Sequence, residues 1–253
     1  MHTYQLFQQL VTRSQPPESG FYLSELSAPA RWPLLTFLPT GYEPDYAYPL
    51  LVFLHGRGGS ERQLIPWMPA LSQRNYVAIA LRGPQSVRGS KPRRSAGTTA
   101  LRFQMGGFTW RLPASADGAI EEYIFTAIAQ TQQRLHIHPQ RIFLVGFCEG
   151  SEVAYRLALR YPERFGGLVV LNGALPPLRP LLRLPEARRL PVFIAHGVAN
   201  AVLPLSAARQ AASLLYTAGL PVHFRIYPTT HRLHPAMWQD ANRWLMQLIT
   251  AQA

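Results

Sequence analysis

Residues 141–162, RIFLVGFCEGSEVAYRLALRYP, constrain this chain more than any other stretch. An apolar run ends in Gly146-Phe147-Cys148-Glu149-Gly150 and passes without a linker into a helical pattern. Glycines two residues either side of a central residue permit a very tight strand-to-helix turn, which lifts the central side chain into a strained pose. Beside a helix N-terminus, a cysteine there is expected to have a lowered thiol pKa. The same residues can be read as a buried structural cysteine beside Gly-rich packing. The strand before and the helix after are the context a nucleophile position requires.

The rest of the chain repeats that alternation. Short apolar runs at 34–38, 50–54, Val77–Leu81, 142–145, 168–171, 192–195 and Val222–Tyr227 are β-branched or aromatic and bounded by Gly or Pro. They read as buried parallel strands. Helical patterns lie at 117–135, 151–160, 206–218 and 235–249. Such a series predicts an α/β fold with a mostly parallel sheet covered by helices on both faces, and working residues at the carboxyl ends of strands. No repeat or Gly/Ser-rich linker divides the chain. The expected organisation is an N-terminal extension over 1–30 and a single domain over 31–253.

Composition narrows the function. A hydrophobic fraction of 47% suits a large core. The net charge of +12 comes from 25 basic residues, all arginine except Lys91, against 13 acidic ones. It reads either as solvated surface or as attraction for an acidic partner, and residues 82–111 are its densest stretch. No nucleic-acid-binding module accompanies it. One cysteine excludes an intrachain disulfide. The N-terminus lacks a signal-peptide pattern and no apolar segment reaches membrane-spanning length, so a soluble, cytoplasmic protein is expected. No metal-ligand spacing and no cofactor motif is visible.

With HPQRIFLVGFCEGS…LRYP in that order, the chain resembles the phospholipase/carboxylesterase and dienelactone-hydrolase groups of α/β-hydrolases, over about residues 34–248. The resemblance implies an α/β-hydrolase fold and acyl-transfer chemistry. Two positions depart from the G-F-S-x-G-G pattern: Cys148 stands for serine and Ser151 for glycine. The dienelactone-hydrolase group is similar in carrying cysteine. In the resembled family the turn His55-Gly56-Arg57-Gly58-Gly59 supplies one oxyanion donor and the residue after the nucleophile the other. Carried over, these are the backbone N–H groups of Arg57 and Glu149. His55 itself reads as a structural residue of the turn.

His231 follows the final strand, where this fold delivers its catalytic histidine; His234, followed by Pro235, reads as the start of the last helix. Relatives read H-G-x-x-D-x-x-V-P where this chain has His196-Gly197-Val198-Ala199-Asn200-Ala201-Val202-Leu203-Pro204, so Asn200 replaces the acid. The carboxylates between Cys148 and His231 are Glu149, Glu152, Glu163 and Glu186, and none follows a strand end suited to the role. In a serine triad this exchange costs on the order of ten-thousand-fold. A thiol is more acidic than a hydroxyl, so a thiolate–imidazolium pair is expected, and an asparagine carbonyl suffices to orient the ring. Cys148, His231 and Asn200 thus read as a Cys-His-Asn triad, with a decayed, noncatalytic binding site as the rival. Met105, Phe108 and Trp110 read as an apolar lining for the substrate, or as anchors of their loop. The expected function is a carboxylesterase or thioesterase acting on a small-molecule ester or thioester. An acyltransferase or cyclase, served by an acidic acyl carrier protein, is the alternative.

Overall fold

The computed structural model describes residues 5–6, 18–26, 32–87, 107–111, 117–177 and 185–251. Its strands are β1 (Gln5–Leu6), β2 (Gly20–Glu25), β3 (Pro33–Leu38), β4 (Tyr48–Leu54), β5 (Val77–Leu81), β6 (Gln85–Ser86), β7 (Phe108–Thr109), β8 (Ile137–Phe147), β9 (Gly167–Leu171), β10 (Val192–Gly197) and β11 (Val222–Tyr227). Its helices are α1 (Met68–Leu71), α2 (Asp117–Arg134), α3 (Glu149–Arg160), α4 (Leu205–Thr217) and α5 (Pro235–Ala251).

One nine-stranded sheet runs β1-β2-β3-β5-β4-β8-β9-β10-β11. Strands β4, β5, β8, β9, β10 and β11 pair in parallel, whereas β3 is antiparallel to both β2 and β5. Every residue of β4, β5, β9 and β10 is buried. Side chains alternate between the sheet's faces and helices cover both, which is why these strands read as continuous apolar runs. Val52, Leu144 and Val170 face the side packed by α2, α3 and α4. Phe53, Val145 and Val169 face the side packed by α1 and α5.

This is the mostly parallel, helix-covered sheet that the alternation predicts and the α/β-hydrolase fold that the resemblance implies. Part of the expected N-terminal extension belongs to the sheet, since Gly20–Glu25 pairs antiparallel with β3 over the whole strand. Its Phe21 and Tyr22 are buried on opposite faces. The strand reads poorly in sequence because its outer residues are polar and its neighbours give no alternating pattern. Among the described residues no helix is long and apolar enough to cross a membrane.

Candidate active site

The carboxyl ends of β4, β8, β9, β10 and β11 lie side by side, and each delivers one part of the site. At the end of β8 the backbone of Cys148 takes φ 53° and ψ −118°, a region non-glycine residues enter only when the surroundings impose it. The flanking glycines permit it. A Cβ on Gly146 would stand 2.5 Å from Ser151 Cα, and one on Gly150 would meet the Leu54 carbonyl. The Cys148 N–H donates to the Leu171 carbonyl at 3.1 Å. Ser151, in place of the usual glycine, turns its hydroxyl back to donate to the Gly146 carbonyl at 2.8 Å.

The expected depression of the thiol pKa is corrected by its surroundings. Burial pushes the Cys148 thiol up. The backbone N–H groups of Arg57 and Glu149 hydrogen-bond the sulfur and pull the other way, while the carboxylates of Glu149 and Glu152 add to the rise. Both glutamates lie in the first turn of α3, so they offset the helix dipole at the sulfur. The same contacts bring the two expected oxyanion donors, Arg57 and Glu149, to a single atom of Cys148.

The turn that carries Arg57 is built from buried polar contacts. A Cβ on Gly56 would come 3.1 Å from Cys148 Cβ, so glycine lets β4's end approach Cys148. Gly56 N–H donates to Gln63 Oε1 at 3.0 Å. His55 is fully buried; its Nε2 accepts from Gly83 N–H at 2.8 Å, so its Nδ1–H donates to the Gly56 carbonyl at 2.7 Å. Burial holds the ring below the usual histidine range.

The segment 107–111 is stapled across this turn. Phe108 exchanges backbone hydrogen bonds with Gly58 and Gly59, both at 2.8 Å. The Glu149 carboxylate accepts from Thr109 Oγ1 at 2.7 Å and Trp110 N–H at 3.0 Å, and pairs with Arg111 at 3.2 Å. Trp110 is 2% exposed, stacked on Tyr123, with its indole N–H on the His55 carbonyl. Of the two readings of Trp110, substrate lining or loop anchor, its packing fits the second: the ring is core, and it ties residues 107–111 to the turn 55–59. Phe108 is half-buried beneath the Arg82 guanidinium, 4.6 Å from the ring centre. Met105 lies outside the described residues. Arg82 is itself clamped by both oxygens of the buried Glu61. The two described arginines of the basic stretch, Arg82 and Arg111, are thus paired internally.

His231 sits after β11, its ring 5.4 Å from that of Phe147, the residue before Cys148. Its Nδ1 lies 3.1 Å from Asn200 Oδ1. Two further donors, Val202 N–H at 3.1 Å and Leu203 N–H at 3.0 Å, converge on the same oxygen. They fix which way the amide points, so an acceptor faces His231 and the proton is held on Nδ1. The ring's Nε2 is left as a lone pair, the tautomer a base requires. Burial, then His196, pushes the His231 pKa down. His234 receives the Ala236 N–H at 3.2 Å and opens α5.

Sequence reasoning missed Asn172. It follows β9 directly, has φ 48°, and is completely buried. A polar residue at a strand's carboxyl end between an apolar run and Gly173 was the available signal.

The phospholipase/carboxylesterase family model matches residues 43–249. A protein of Oryza sativa subsp. japonica named a probable carboxylesterase is 33% identical over 110 residues, 42% of this chain and 47% of that one. The acyl-protein thioesterase 1 of Emericella nidulans is 27% identical over 134 residues, 51% of this chain and 56% of the relative. The chain thus spans about half the length of these curated relatives. The crystal structure of a carboxylesterase from Mesorhizobium loti superposes with a TM-score of 0.68 at 19% identity, over 88% of this chain and 98% of that one. A family model spanning most of the chain, on this sheet order and with this elbow, makes the protein a member of the phospholipase/carboxylesterase family of α/β-hydrolases.

Proposed function

We propose that the protein hydrolyses esters or thioesters through a covalent acyl-enzyme, with Cys148 as nucleophile, His231 as base and Asn200 as the residue that orients it. The observation that carries this reading is the Asn200 amide, held by two backbone N–H groups so that its oxygen takes the place of the family's carboxylate. The names of the relatives, carboxylesterase and acyl-protein thioesterase, support the substrate class.

At rest the thiol and the imidazole are both neutral, because burial acts on each in that direction. As Cys148 Sγ bonds to the acyl carbon, its proton passes to His231 Nε2. The carbonyl oxygen becomes an oxyanion held by the N–H groups of Arg57 and Glu149. Collapse breaks the bond to the leaving alkoxide or thiolate, which takes the proton from Nε2. Water then attacks the acyl-enzyme, gives its proton to Nε2, and the thiol is restored. A thiol gives up its proton far more readily than a serine hydroxyl. The imidazolium therefore needs less help from a countercharge, and an amide carbonyl serves.

Incubation with aryl esters and acyl thioesters, followed by intact mass measurement, tests the reading. An acyl adduct on Cys148 that decays with turnover is expected. No adduct and no turnover by folded protein, or turnover unchanged in Cys148→Ala, would sink it.

A further inference from the structure

We infer that Asn172 is a positioning residue that makes position 200 demand an amide, and so fixes the exchange of the family's acid for asparagine; the inference rests on the acyl-hydrolase reading above. Two backbone groups set the orientation of the Asn172 side chain. Its Oδ1 accepts from Gly197 N–H at 2.8 Å, and its Nδ2 donates to the Arg232 carbonyl at 3.0 Å. The same Oδ1 lies 3.3 Å from Asn200 Nδ2. Polarity then runs in one direction through the site: the Asn200 amide donates to Asn172, and its oxygen accepts from His231.

A carboxylate at position 200 would keep the oxygen that faces His231. Its second oxygen would stand against Asn172 Oδ1, two buried acceptors with no proton between them. Turning the Asn172 amide over gives no relief. It would set Nδ2 against the Gly197 N–H and Oδ1 against the Arg232 carbonyl. His196 Nε2 is also 3.3 Å from Asn200 Nδ2, but it lies 2.9 Å from the Leu203 carbonyl, where its proton is committed. One residue therefore ties together the loops after β10 and β11, which carry the orienting residue and the base. Its own backbone stands in the left-handed region at φ 48°, which brings the amide between them.

The test is a cycle of four proteins: wild type, Asn200→Asp, Asn172→Gly and the double variant. Glycine keeps the φ 48° backbone without strain. Two quantities are read: the rate of Cys148 acylation by an aryl ester, and the carboxyl titration at position 200 by carbon-13 NMR. With Asn172 present, Asn200→Asp is expected to slow acylation about tenfold, and its carboxyl to titrate above the ordinary range. With Asn172→Gly the same substitution should cost less than about twofold, with the titration moved down. Equal costs in both backgrounds with an unmoved titration would overturn the proposal. If wild type itself forms no acyl-enzyme, the hydrolase reading fails, while the titration still decides the role of Asn172. Should Asn172→Gly not fold, Asn172→Asp replaces it. That variant keeps an acceptor toward position 200, so the introduced carboxyl must titrate higher still, and a lower value would refute the inference.

Discussion

Asn200 Oδ1 receives three donors at once: His231 Nδ1 at 3.1 Å and the N–H groups of Val202 and Leu203 at 3.1 and 3.0 Å. The backbone pair holds the amide whether or not the histidine is present, so the oxygen is in place before the base needs it. In the proposed mechanism this preorganisation is what lets an uncharged group orient the histidine in place of a carboxylate.

Replacing that amide should show in both rate and stability. Asn200→Ala frees the His231 ring to change tautomer and strips the acceptor from two loop N–H groups. Acylation of Cys148 is expected to fall on the order of a hundredfold, through kcat more than KM. Urea unfolding should register a loss of about 1–3 kcal/mol for the unsatisfied donors. A rate within twofold of wild type would remove Asn200 from the mechanism.

The thiol should behave as a buried neutral group. Burial raises its pKa, with Glu149 and Glu152 adding to the effect. Iodoacetamide alkylation followed by mass measurement is expected to accelerate with pH through a midpoint above the ordinary cysteine range. Esterase kcat/KM should instead rise through a limb below the usual histidine value of about 6.5, because His231 must be neutral to act. An alkylation midpoint below 7 would restore the resting ion pair.

Glu149→Gln separates charge from scaffold. It keeps the side chain's volume and one acceptor for Thr109 or Trp110, while removing a negative charge beside the sulfur. The alkylation midpoint of Cys148 should move down in this variant. An unmoved midpoint would mean that the Glu149 charge has no part in setting the thiol.

Acid should weaken the fold through His55. Its Nε2 accepts the Gly83 N–H, so protonation would set two donors against each other in a sealed site. The folded-state pKa lies below that of the unfolded chain. Between those two values the unfolded state binds more protons, so stability rises with pH and falls as pH drops below about 6.5. Thermal melts from pH 7.5 to 5 should show the midpoint falling, with a flatter profile in His55→Gln. An identical profile in that variant would shift the effect to His196 and His231, which burial also holds low.

The fold class was legible in the alternation of apolar runs and helical patterns, and so were the strand ends that carry the candidate site residues. Fully buried parallel strands must be apolar throughout, and Val77–Leu81 carries that composition. Val222–Tyr227, read in sequence as a buried strand, is instead the sheet's edge, where His223 and Arg225 interrupt the apolar run and only Tyr227 is buried. The elbow glycines, the turn 55–59, His231 and Asn200 each lie at or just beyond a strand end, where motif and topology coincide. How these groups are polarised depends on contacts between distant segments, which no local pattern records. Helix position suggested an acidic thiol, but burial and two nearby carboxylates act through space and reverse the direction. Aromatic composition left Trp110 as substrate lining or loop anchor, and its packing on Tyr123 places it in the core. Asn172 and Asn200 are 28 residues apart and meet because β9 and β10 are neighbours. A local pattern records which way a side chain leaves its strand. It does not record which donor or acceptor another strand end will set against it.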